Sequence, residues 1–222
     1  MNRRISIKEL FGAQYVSLWE QYVDLPLVDR GYDIVDHLYI GSLLFVGLNP
    51  ATGKDIREER IFEEIVETSY PKYYGPLSQL SHDCGFNGSY SYIDLLGIRC
   101  TSQKTIKEYY FSSPTFKEFC YKQLHLSIKA MELAKPKVVI VCNAYARELL
   151  KGSGFLRITF DNRIGTYRII NNESLKGTPV FLSGMISGQH ALDVGSRERL
   201  AWHVNEVVKR SMKDIKKSVN ED

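Results

Sequence analysis

Leu43-Leu44-Phe45-Val46-Gly47-Leu48-Asn49-Pro50-Ala51-Thr52-Gly53-Lys54-Asp55 opens on an apolar run and breaks at Gly47, Asn49-Pro50 and Gly53. A short apolar run ending in turn residues is the pattern of a strand buried on both faces and running into a tight loop. In an open α/β sheet, ligands sit beyond the carboxyl ends of such strands. Pro50 fixes its own φ and biases Asn49 towards an extended conformation, so the Asn49 side chain is held in one direction. The group displayed there is a fixed amide that does not titrate.

Further strands are read outward from this one. Val138-Val139-Ile140-Val141-Cys142 is an uninterrupted apolar run, and Pro179-Val180-Phe181-Leu182 and residues 90–96 are similar. Helical spacing marks residues 6–24, 55–67, 75–85, 116–134 and 144–150, and Ser196 is placed to cap a last helix through Val208. Residues 155–171 alternate as a short hairpin does. Strands alternating with helices predict a parallel sheet covered on both faces. The expected architecture is a three-layer α/β/α sandwich with a mostly parallel central sheet. The whole chain, 1–222, reads as a single domain: an N-terminal helical extension over 1–40, a core over 41–208 and a polar tail over 209–222.

Length and composition agree with one α/β domain. A chain of 222 residues with 14 Tyr and 10 Phe can bury a sizeable core. The net charge of +3 permits a nucleic-acid partner and does not demand one. The mixed-charge run from Lys54 to Arg60 reads as a solvated helix face, and the basic stretch from Lys209 to Lys217 as a polar C-terminal end. No run approaches the ~18 apolar residues of a membrane span. The basic start, Met1 to Ser6, is not followed by an apolar signal region, so a cytoplasmic chain without a membrane partner is expected. Cys84, Cys100, Cys120 and Cys142 stand apart, and no pair has Cys-x-x-Cys spacing. Reduced thiols are expected, with no metal, iron–sulfur cluster or other cofactor.

The strand-Gly-Leu-Asn-Pro-Ala-Thr pattern resembles the first active-site motif of the uracil-DNA glycosylase superfamily. It is most similar to the mismatch-specific thymine/uracil branch. Four later segments fit the same superfamily in the same order: Tyr73-Tyr74-Gly75-Pro76-Leu77, Tyr92 to Arg99, Ala134 to Ala146, and Val180 to His190. The resemblance covers residues 40 to 208. It implies a uracil-DNA-glycosylase-like fold and a monomeric hydrolase of base-excision DNA repair. Such an enzyme cleaves the N-glycosidic bond of uracil or another altered base after flipping it out of DNA.

The resemblance also assigns roles. Asn49 would hold the attacking water, Gly47, Leu48 and Pro50 would bind the substrate beside it, and Thr52 with the turn amides near Gly53 would grip a backbone phosphate. Tyr73 or Tyr74 would stack on the base. Ser187 and Gly188 match the tail of the second motif and would bind substrate, and the stretch from Ser187 to Leu192 would press into the minor groove with Leu192 as a wedge. Asp94 stands where the superfamily usually has an Asn that reads the base edge; an ionised carboxylate accepts only, whereas an amide also donates. Asp94 reads equally well as a strand-end turn residue. Met185 falls on the usual His or Asn that donates to the departing base, and Met cannot donate. His190 is the nearest replacement. Two alternatives stay open: a catalytically silent member that binds nucleic acid or a nucleobase, and an enzyme of free nucleosides or nucleotides.

Overall fold

A computed structural model describes residues 3–51, 58–65, 68, 70–188 and 191–219, with side chains described through Arg210. The chain starts with β1 (Arg4–Ser6) and α1 (Ile7–Gln21). The Ser6 hydroxyl accepts from the Glu9 amide and caps α1. Strands β2 (Gly31–Val35), β3 (His37–Tyr39), β4 (Leu43–Gly47) and β5 (Glu59–Glu63) follow. Then come α2 (Pro71–Asp83), β6 (Tyr90–Asp94), α3 (Gln103–Ser112), α4 (Pro114–Ala134), β7 (Val138–Val141) and α5 (Ala144–Gly152). The chain continues through β8 (Ile158–Asp161), β9 (Thr166–Ile169), β10 (Pro179–Leu182) and α6 (Val194–Val219).

The main sheet has the order β6-β4-β7-β10-β9-β8. β6, β4, β7 and β10 are parallel neighbours, and the β8–β9 hairpin adds an antiparallel edge. The strands expected around 43–46, 92–96, 138–142 and 180–182 therefore lie side by side in one sheet. All of β4 is buried. Leu44 and Val46 point into a cluster with Phe11 and Trp19 of α1, Phe119 and Leu124 of α4 and Leu149 of α5. Leu43 and Phe45 point the other way, to Leu77 and Leu80 of α2 and Val204 of α6. With helices on both faces, an inner strand has no solvated side, which is why it reads as a continuous apolar run. Each such fully buried side chain contributes about 1.5–3 kcal/mol.

Several boundaries differ from the sequence reading. The helix expected over 55–67 is instead strand β5 across Glu59–Glu63, paired in parallel with β2; residues 52–57, 66 and 67 lie outside the described residues. Phe62 packs edge-on against Tyr15 of α1 and Tyr32 of β2, which anchors β5 to the core. The last helix begins at Val194, and its first turn is capped by Asp193, whose carboxylate accepts from the Ser196 amide at 2.9 Å and hydroxyl at 2.6 Å. Ser196 is thus the donor rather than the capping residue. Helix α2 starts at Pro71, where a missing amide hydrogen costs nothing. Residues 31–39 contribute strands β2 and β3, and α1 packs in the same cluster as the sheet.

Candidate functional site

Two adjoining hollows of about 380 and 40 Å³ open at the carboxyl ends of β4 and β6 and at the loop after β10. They share Asn49, Tyr73, Tyr92, Gln103 and Met185. The larger one is in the size range of a small-molecule site.

Asn49 is locked from two directions. Its Nδ2 donates to the carbonyls of Pro50 at 2.9 Å, Ile98 at 3.1 Å and Cys100 at 2.6 Å. The Cys100 amide in turn donates to the Pro50 carbonyl at 3.0 Å, tying the two loops together. Carbonyl oxygens accept only, so they select the nitrogen end of the amide. Oδ1 remains as a fixed acceptor.

Asp94 ends β6 and pairs in register with Gly47 of β4. The Tyr92 hydroxyl donates to Asp94 Oδ1 at 2.8 Å, and the Tyr73 and Tyr92 hydroxyls are 2.7 Å apart. A side chain at position 47 would overlap both Tyr92 Oη and Asp94 Oδ1, so glycine there makes room for this bond. Burial pushes the Asp94 carboxyl up to about 7; the negative charge of Asp33 adds to the rise, and the bond from Tyr92 holds it down. Near neutral pH a proton is therefore often present on Asp94. A neutral carboxyl both donates and accepts. Burial and the nearby acids raise Tyr73, Tyr74 and Tyr92, so these phenols stay protonated.

Tyr74 is buried and lines the larger hollow, with ring edges against Tyr70, Tyr73 and Tyr92 at centroid distances of 6.3, 5.2 and 6.1 Å. The opposite wall is acidic. Asp33 on β2 and Glu63 on β5 are diagonal neighbours across the strand pair, Asp33 opposite Ile61 and Glu63 opposite Val35, and both line the larger hollow. Burial, then the charge of Asp33, pushes Glu63 up to about 7. Burial also raises Asp33, with Arg99 opposing the rise.

The third wall comes from the start of α5 and the loop after β10. Asn143 Oδ1 accepts from the amides of Tyr145 at 2.8 Å and Ala146 at 3.1 Å, and so caps α5. Its Nδ2 faces Met185 Sδ at 3.8 Å. The Leu192 amide donates to the Met185 carbonyl at 2.8 Å, which folds the loop back on itself. Ser187 is 4% exposed and lines the small hollow. Cys142 also lines it, and burial pushes that thiol up to about 12, too high for a nucleophile at neutral pH.

The structure thus brings Gly47, Leu48, Asn49, Pro50, Tyr74, Asp94 and Ser187 around the joined hollows. Gly188 turns the loop at φ +87° and lines neither hollow. Leu192 lies in a separate cleft beside Gly184 and Phe181 and is partly buried against the second core cluster. Thr52 and His190 lie outside the described residues. Sequence reasoning missed Asp33, Glu63 and Tyr92 as site residues. Tyr92 was within reach, because residues i and i+2 of a strand share a face. Asp33 and Glu63 carry no local signal.

Among the described residues, no group of three or more His, Cys, Asp or Glu side chains is arranged to hold a metal ion. Among the same residues, no helix is long and apolar enough to cross a membrane. No family model matches the chain. A stretch of 86 residues is 35% identical to the sphingolipid delta(4)-desaturase DES1 of Drosophila melanogaster, covering 38% of this chain and 26% of that protein. The chain thus spans about a quarter of the length of the curated relative it matches.

Proposed function

We propose that this chain is a DNA glycosylase-like protein of the uracil-DNA glycosylase superfamily, acting as a cytoplasmic monomer that hydrolyses the N-glycosidic bond of an altered base flipped out of DNA. The observation that carries this reading is the lock on Asn49. Three backbone carbonyls occupy its nitrogen, which leaves Oδ1 as an oriented acceptor in an aromatic-walled hollow. An oriented acceptor can hold a water for attack on C1′ of the sugar. It cannot take up a proton usefully, so catalysis would rest on positioning, and slow turnover is expected. Tyr74 offers a ring for the base, and Asp94 offers an edge-reading group that donates when protonated. The acidic wall suits the base end of a nucleotide and would repel its phosphates, which leaves the backbone outside the hollow.

Oligonucleotides carrying uracil, hypoxanthine, xanthine or a G·T mismatch, incubated with the protein and then treated with alkali, test the activity. Strand breaks at the altered base are expected, and they should vanish in Asn49→Ala. Absence of abasic sites with every altered base tried would remove the catalytic reading. Met185 at a position that usually donates to the departing base favours one second reading, a silent member that binds the base without releasing it. Tight binding without release would select that reading.

A further inference from the structure

We infer that the hollow beside Asn49 is built for a nucleobase that carries positive charge, of the N-alkylated purine class, in preference to uracil. This rests on the glycosylase reading for its chemistry, and on the inventory of groups around the hollow for its selectivity.

Among the described residues, the charged groups that line the hollow are all acidic, and they stand beside neutral groups such as Gln103 and Tyr74. Asn49 presents only Oδ1, because its nitrogen is occupied. Asp33, Glu63 and Asp94 are carboxyls, and among the described residues no Lys, Arg or His side chain lines the hollow. The Tyr92 hydroxyl is used on Asp94, and Tyr73 is joined to Tyr92. Arg99, the cation that acts on Asp33, pairs with Glu59 and donates to the Arg30 carbonyl, and it does not line the hollow. Uracil would bring two carbonyl oxygens to this wall. A cationic ring with amino or ring N–H groups brings donors and a charge that the carboxyls attract. The faces and edges of Tyr70, Tyr73, Tyr74 and Tyr92 add a second attraction, because aromatic rings bind cations through their quadrupole.

Met185 fits the same substrate. A neutral base leaves as an anion and needs a donor to stabilise it. A cationic base leaves neutral. The C1′–N bond breaks with its electron pair staying on the base nitrogen, which cancels the ring's positive charge. The water held at Asn49 forms the C1′–O bond and releases its proton to solvent. The products are an abasic sugar, a neutral alkylated base and one proton. No oxyanion-type donor is required, and Met185 supplies none.

The test uses the full chain on duplex DNA treated with a methylating agent, and in parallel on the same duplex carrying uracil. Released bases are separated by chromatography. The acceleration over the protein-free control should be at least roughly tenfold greater for methylated purines than for uracil, the ratio expected from one favourable cation–aromatic contact in a desolvated site. An equal or greater acceleration for uracil would overturn the inference and leave the glycosylase reading standing. Release of neither would overturn the catalytic reading, and equilibrium binding then decides the inference alone. Cationic 1-methyladenosine should bind roughly tenfold tighter than uridine; equal or weaker binding would overturn the preference. The double variant Asp33→Asn, Glu63→Gln should bring the two nucleosides towards parity, with a cooperative melt showing that it folds. A preference that survives it would place the selectivity elsewhere.

Discussion

Gly47 and Asp94 stand opposite each other on neighbouring parallel strands, and the space where Gly47 has no side chain is where the Tyr92 hydroxyl meets the Asp94 carboxyl. The glycine of the first motif therefore serves the acid of a later one. Its φ is not in the left-handed region, so the requirement is steric and comes from across the sheet.

Gly47→Ala should accordingly break the Tyr92–Asp94 bond or push β4 and β6 apart. Overpacking of this kind costs about 1–3 kcal/mol. Urea unfolding should show the loss as a lower midpoint. A variant with the wild-type midpoint would mean that the strands give way freely here.

Asn49 is as much a structural residue as a chemical one. Asn49→Ala leaves the carbonyls of Pro50, Ile98 and Cys100 without their common donor, and a stability loss of about 1–3 kcal/mol is expected alongside lost activity. Asn49→Asp, which makes the group titratable, should be no better. Its carboxylate would face those carbonyl oxygens. Thermal melts of both variants at neutral pH check this, and an Asn49→Asp protein as stable as wild type would contradict the lock.

Stability should fall as pH rises from about 4 to about 7. Asp94 and Glu63 are both raised in the fold, to about 7, above their ordinary values of 3.8 and 4.5. Between those limits the folded state keeps protons that the unfolded state has released. Their contribution is complete below the unfolded values and is lost as pH climbs through the folded ones. Each proton accounts for at most about 1.4 kcal/mol per pH unit. Asp94→Asn should flatten part of this slope and gain stability relative to wild type at pH 8. Denaturant titrations across pH 4–8 measure it, and an unchanged slope in the variant would place the effect on other groups.

Asn143 connects the site to the fold through one amide. Asn143→Ala removes the cap of α5 and should cost about 1 kcal/mol. Asn143→Asp keeps the acceptor, favours the helix N-terminus and should be close to neutral for stability. It loses only the contact with Met185. Equal destabilisation by both substitutions would show that the donor end matters more than the cap.

Met185→His supplies the missing donor at the edge of both hollows. Given the glycosylase reading, it should raise single-turnover release of uracil by roughly a hundredfold, the scale of one oxyanion-type donor. It should leave release of a cationic base nearly unchanged. No change with uracil would detach position 185 from the departing base.

The apolar runs at 43–46, 138–142 and 179–182 are local signals, because a strand buried on both faces needs apolar residues at every position. Their alternation with helices made the parallel sheet legible. Asn49-Pro50 was legible for the same reason: proline restricts its neighbour through covalent geometry alone. The long-range partners were not legible. Glu59-Arg60-Ile61-Phe62-Glu63 has the mixed charge of a helix face, and it is a strand only because Gly31–Val35 pairs with it and Phe62 packs on α1. Asp33 and Glu63 come to line one hollow through that pairing, and no sequence spacing encodes a contact made between two strands. The carbonyls that orient Asn49 come from Ile98 and Cys100, about fifty residues away. The placement of charge in the site was also out of reach of composition. Whether Asp94 is an acceptor or a donor depends on burial and on its neighbours Tyr92 and Asp33, and burial exists only once the chain has folded.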